Sequence, residues 1–244
     1  MNYNQIKKVL LRIGRWIRNL LLILFILSLL FVLLYKYVPV YYTPLMLVRS
    51  IEQLKENKKG RIVHQWIPLS EISPYLAQAV VASEDNLFLI HSGFDFDQIE
   101  LAQQEAAKGR RLRGASTISQ QTAKNVFLLP AHSWIRKGFE AYFTVLIELV
   151  WGKERIMEVY LNSIEMGDGI FGAQAVAKVH FQTTAAKLTV PEAALIAASL
   201  PNPRAFNSAA PSAYLLRRQA AIISLMPKMM PIDFDNPSKK EKKK

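Results

Sequence analysis

Between residues 20 and 34 every position but Ser28 is apolar. Trp16 and Ile17 precede this run and Tyr35, Lys36, Tyr37 and Val38 follow it, close to the ~20 residues that cross a bilayer as a helix. An amphipathic core helix of a soluble domain would carry a polar stripe, and none is present. A cleaved leader would need a small-residue site soon after the apolar core, but the first alanine is Ala77. The run therefore predicts an uncleaved single span over 19–38. Lys7, Lys8, Arg12, Arg15 and Arg18 lie before it and tyrosines after it. The positive-inside rule then makes 1–18 a cytoplasmic basic N-terminus and puts everything beyond residue 38 outside.

The formal net charge of +12 would suit nucleic acid if it were spread over the chain. It is not. Ten basic residues and one acid sit in the two termini, five of the basic ones between 239 and 244, which leaves 21 basic against 18 acidic residues elsewhere. A nucleic-acid footprint is excluded. The absence of cysteine excludes disulfides, cysteine-ligated zinc, a thiol nucleophile and a lipidated cysteine.

Residues 39–69 read as a connector. Thr43-Pro44 and the polar run 55–60 mark turns or loops, and residues 61–67 alternate enough for a short strand. From Ser70 onward the pattern is helical, with apolar residues at helical spacing over 139–151, 155–161, 173–181 and 191–200. Gly138, Gly152 and Gly167-Asp168-Gly169 punctuate these stretches. The 231–244 tail is expected to be disordered.

Ser73 as N-cap and Pro74 as first helical residue open an apolar helix that ends on Glu84 and Asp85. Gly93 then breaks the chain between His91 and Asp95. A carboxyl at the end of a buried helix, beside a turn, is held in partly dry surroundings and its pKa rises; alternatively, the two acids merely end a helix in solvent. Residues 108–125 hold five basic residues with glycines, hydroxyls and amides, a donor set that suits a phosphate or a solvated basic loop. The Walker ending is missing. Arg136, Lys137 and Glu140 open a long apolar helix and are placed for a local ion pair.

Taken together these segments resemble the five motifs of the family 51 glycosyltransferases, the peptidoglycan glycosyltransferases. The first is Glu84-Asp85 with Phe88, His91 and Gly93. The second runs from Gly114 through Ser116, Thr117, Gln120 and Gln121 to Lys124 and Asn125. The third is Arg136-Lys137 with Glu140. Lys153, Ile156 and Tyr160-Leu161-Asn162 form the fourth, and Leu188, Glu192 and Leu195 running to Leu200-Pro201 the fifth. The resemblance spans roughly residues 71–218 and is to the monofunctional form.

It implies a mainly α, lysozyme-like domain over 70–230, with a small membrane-facing lobe, behind one transmembrane helix. The implied substrate is lipid II, polymerised onto a growing glycan strand at the outer face of a bacterial inner membrane, with cell-wall synthesis proteins as candidate partners. Glu84 matches the general base and Glu140 the second essential carboxylate, whose role stays open. Lys124, Arg136 and Lys137 suit the diphosphate, with Ser116, Gln121 and Asn125 as hydrogen-bond donors. Phe88, His91, Thr117 and Gln120 complete the expected substrate-binding set. No cofactor or protein-held metal is expected, although the diphosphate leaves room for Mg or Mn. Three positions depart from the family pattern: His132, where an arginine is common, His180 and Thr122.

A glycan-cleaving lysozyme-like or lytic enzyme is the competing reading, but it needs no cationic clamp. A non-catalytic scaffold would tolerate loss of either glutamate. Outside the motifs, Met226, Met229 and Met230 read as packing and His64 as structural. Glu192 reads as helix-terminal, and Glu148, Glu158 and Glu165 as solvent-exposed helix residues.

Overall fold

The computed structural model describes residues 3–56, 62–109, 114–131, 133–229, 232 and 234. His132, Arg61, Met230, the 57–60 run, the arginines at 110, 111 and 113 and the 237–244 tail lie outside them. Contacts divide the chain after Val38 into two units. The first is essentially one helix, α1 (Tyr3–Tyr37), of which Leu10–Tyr37 is long and apolar enough to span a membrane. The basic N-terminal residues continue this helix.

The second unit is built from short helices and one small sheet. Its first helix, α2 (Pro44–Lys55), lies where the sequence suggested turns and loops. Thr43 is its N-cap, accepting the Met46 N–H at 3.2 Å, and Pro44 is its first residue. A Thr-Pro pair opens a helix as readily as a turn. The expected strand shrinks to β1 (Val63–His64). The Asn162 side chain takes both polar groups of Ile67, accepting its N–H at 3.0 Å and donating to its carbonyl at 2.9 Å, so the ladder cannot extend that way.

The main body follows. It comprises α3 (Pro74–Glu84), α4 (Phe96–Ala107), α5 (Ile118–Phe127), α6 (Trp134–Val150) and α7 (Gly152–Ser163). A hairpin of β2 (Glu165–Gly167) and β3 (Ile170–Phe171) then leads to α8 (Ala173–Phe181), α9 (Val190–Ser199) and α10 (Ala213–Leu225). The sheet order is β1-β3-β2, with β1 parallel and β2 antiparallel to β3. Gly138 does not interrupt α6, whereas Gly152, at φ +76°, does separate α6 from α7. Gly172 is required at its position: φ is +82° and a Cβ would lie 2.6 Å from the Asn162 carbonyl oxygen.

Two packing groups position the site. Beyond Glu192 in its first turn, helix α9 is small and largely apolar, with Ala193, Ala194, Ile196, Ala197 and Ala198 buried, so α3 and α10 can both pack against it. Helix α5 packs on α6, α7 and α2. Along α6, Trp134, Ile135, Phe139, Val145 and Leu149 stay exposed, Trp134 at 91%, forming an apolar face that no described element covers. Glu148, Glu158 and Glu165 are not solvated. Glu165 is a buried strand residue paired with Arg49 at 3.0 Å, and Glu148 receives Lys153 at 2.6 Å and the Ser119 hydroxyl. Glu158 accepts the Leu69 N–H and pairs with Arg155. Each sits where a cation from another turn or element reaches it, information that helical spacing alone does not carry.

Candidate active site

Glu84 is the last residue of α3, and Ser73 stands at the other end as expected. The Ser73 hydroxyl does not cap the helix, however: it donates to the Leu188 carbonyl at 2.8 Å, fastening α3 to the segment before α9. Buried Leu76, Ala79 and Val80 fix the helix from within, so its final carboxylate is held at a set place.

The two adjacent carboxylates have separate tasks. Asp85 is buried and accepts the Ile118 N–H, the first of α5, at 2.9 Å, where an anion meets the positive end of the helix. His91 Nε2 lies 2.9 Å from the same carboxylate, and His91 Nδ1 accepts the Gly93 N–H at 3.0 Å. With Nδ1 an acceptor, Nε2 carries the proton that faces Asp85. Gly93, at φ +92°, lies so close to α6 that a Cβ would meet the Thr144 methyl at 2.8 Å.

Four of the residues expected to bind substrate also make contacts inside the protein. His91 has both nitrogens engaged. Phe88 is fully buried, with the Lys153 ammonium 4.7 Å from its ring centre. Thr117 and Gln120 form the capping box of α5, and the Thr117 hydroxyl donates to the Gly93 carbonyl at 2.6 Å. These bonds and contacts tie the first two motifs to each other and to α7. The motif positions of these residues signal importance, but cannot separate contact from support.

The remaining residues converge. Gln121 Nε2 donates to Glu84 Oε2 at 3.2 Å, and the buried Tyr160 hydroxyl donates to Gln121 Oε1 at 3.2 Å. Tyr160 so fixes which end of the amide faces Glu84. Ser83 Oγ donates to Glu84 Oε1 at 3.2 Å. Burial pushes the Glu84 carboxyl above the usual range, the Gln121 and Ser83 bonds and the Arg218 charge pull it back, and Asp85 adds to the rise. A cavity of about 150 Å³ opens beside it, lined by Asn86, Gln98 and Ser116 among others.

One turn beyond Gln121 on α5 stands Lys124, beside the buried Asn125. Among the described residues the Lys124 ammonium makes no ion pair or hydrogen bond. Burial pushes its ammonium below the ordinary lysine range. Glu140 and Glu84 oppose that shift, while Arg136 and Lys137 add to it. Glu140, only 3% exposed, receives Arg136 NH1 at 3.0 Å on one oxygen and Lys137 Nζ on the other. Arg136 also donates to the Ala131 carbonyl. Three cations around one carboxylate leave a net positive patch, partly dry and suited to a polyanion. Thr122 is buried and bonds back to the Ile118 carbonyl at 2.8 Å, and His180 lies 2.7 Å from the Ser208 hydroxyl. Arg218, on α10, reaches the site without having been singled out by its motif.

A family model for transglycosylases matches residues 50–227. A biosynthetic peptidoglycan transglycosylase of Bacteroides thetaiotaomicron is 59% identical over 242 residues, covering 98% of this chain and 96% of its own length. Proteins of the same name from Bdellovibrio bacteriovorus and Caulobacter vibrioides are 49% and 48% identical, covering 89% and 86% of this chain and 87% and 91% of their own. The chain belongs to the transglycosylase family.

Proposed function

We propose that the protein is a membrane-anchored peptidoglycan glycosyltransferase that polymerises lipid II with release of undecaprenyl diphosphate. One observation carries this reading. A desolvated carboxylate with only neutral direct donors, Glu84, and a desolvated, unpaired ammonium, Lys124, stand on the two sides of Gln121.

A sugar 4-hydroxyl is a weak nucleophile until a positioned base takes its proton. Glu84 takes it as the oxygen attacks the anomeric carbon of the growing strand. The bond from that carbon to the diphosphate breaks, and its electron pair leaves on the diphosphate oxygen. One such displacement converts an α linkage into β-1,4. Lys124, Arg136 and Lys137 stabilise the charge that gathers on the leaving group. Ser116, Gln121 and Asn125 supply polar contacts around it. Glu140 keeps Arg136 and Lys137 aligned. Among the described residues no group of three or more His, Asp or Glu is arranged to hold a metal. The proposed step uses lysine and arginine charge, and a divalent cation at the diphosphate is compatible with it.

The substrate's lipid tail explains the anchor, since both molecules are then confined to one bilayer. The exposed apolar face of α6 supports the reading of a membrane-facing lobe. The deciding experiment is glycan polymerisation from lipid II by the full-length protein in detergent, with Glu84→Gln beside it. Polymer from the wild type alone is expected. Shortening of preformed glycan instead of polymer would favour the lytic reading.

A further inference from the structure

Glu84 is held from two sides, and only one of them, the Gln121 amide, belongs to the sequence motifs that mark the site. On the other side Ser83 Oγ donates to Glu84 Oε1 at 3.2 Å, while Arg218 NH2 donates to that same Ser83 oxygen at 3.4 Å. Arg218 lies on α10, which packs against both α3 and α9. Its Nε is buried and makes no hydrogen bond, and among the described residues its guanidinium forms no ion pair. A half-buried cation with no carboxylate in direct contact leaves its field to act on the nearest anion across the serine.

We infer that Arg218, acting through Ser83, is a positioning residue that holds the Glu84 carboxylate anionic and oriented to receive the acceptor's proton. This rests on the reading of Glu84 as the base. The chemistry requires such a device. Burial alone favours the neutral acid, which cannot accept a proton, and a direct ion pair would leave the carboxylate too weak a base. A cation one hydroxyl away is a compromise between the two.

The other charged groups around Glu84 do not substitute for it. Asp85, next in the chain, opposes the anion, and Lys124 favours it from α5 but is committed to the leaving group. Tyr160 reaches Glu84 only through Gln121. Helix α9 contributes one charged side chain, Glu192, which is held in its own capping box with Thr189. Lys228, on the turn after α10, points its exposed side chain to solvent.

The test measures kcat and KM for lipid II across pH with the full-length protein, comparing wild type, Arg218→Met, Arg218→Lys, Ser83→Ala and Glu84→Gln. Arg218→Met is expected to lower kcat about tenfold at neutral pH. The loss should deepen on the acid side, with KM unchanged. Arg218→Lys should recover most of the activity, because the charge acts through space. Ser83→Ala should show the same acid-side loss at about threefold, which keeps the test open if Arg218→Met does not fold. Two results would overturn the inference. One is a raised KM with an unchanged pH profile, which would make Arg218 a substrate contact. The other is an equal loss at every pH with a lowered melting temperature, which would make it structural only. If Glu84→Gln keeps wild-type activity, it is the assignment of the base that fails.

Discussion

Glu84 and Glu140 are both withdrawn from solvent, yet their surroundings are opposites. Glu84 is bonded directly by an amide and a hydroxyl, both neutral, and its nearest cations lie further off. Glu140 carries a cation on each oxygen. Neutral donors orient a carboxylate and leave it able to take a proton, whereas two direct ion pairs remove that ability. The contrast favours Glu84 as the base and Glu140 as the organiser of the cationic side, a division that the motif positions alone left open.

The largest expected effect comes from breaking the Glu84 side. Glu84→Gln should lower kcat by about 10³ or more, read by lipid II polymerisation, without lowering the melting temperature. Its raised pKa means that the folded state holds the proton to higher pH than the unfolded chain. Stability therefore falls as pH rises from the ordinary carboxylate range through the raised value, and a neutral amide removes that cost. Next is Lys124→Met, expected to lower kcat by roughly 10²-fold, again with stability kept, because a desolvated and unpaired ammonium is removed.

Glu140→Gln should act differently, costing both activity and stability. Stripping the partner from a buried pair costs several kcal/mol. Here the Arg136 and Lys137 side chains are 20% and 44% exposed and can turn to water, so a loss of about 1–2 kcal/mol is expected in denaturant unfolding. The smallest effect is expected from Tyr160→Phe. Freed from the phenol, the Gln121 amide can turn its oxygen toward Glu84, and kcat should fall about threefold to tenfold, with KM little changed.

Much of this was legible in the sequence. The apolar run gave α1, and Ser73-Pro74 with the apolar stretch behind it gave α3 and the place of Glu84 at its end. The spacing of Gln121, Lys124 and Asn125 put all three on neighbouring turns of one helix. What was not legible is tertiary. Thr43-Pro44 reads alike as a turn or a helix start, and packing against α5 decides for α2. Phe88, His91, Thr117 and Gln120 share motifs with Glu84 and Lys124, and their burial and internal bond partners show only in the fold. Glu148 and Glu165 looked like surface acids because the cations that neutralise them come from other elements. Arg218 follows the same rule, being 135 residues from the serine it reaches.

The central claim is the division of labour between base and cation, and the pH dependence of kcat/KM for lipid II tests it most directly. The proposed reaction needs Glu84 ionised and Lys124 protonated. Burial raises the first pKa and lowers the second, so the wild-type bell should be narrower on both sides than ordinary carboxylate and lysine values would give. Lys124→Met, at its lower overall rate, should lose the alkaline limb and keep the acid one. If both limbs survive in Lys124→Met, or if the acid limb survives unchanged in Glu84→Gln, the assignment of the two groups is wrong.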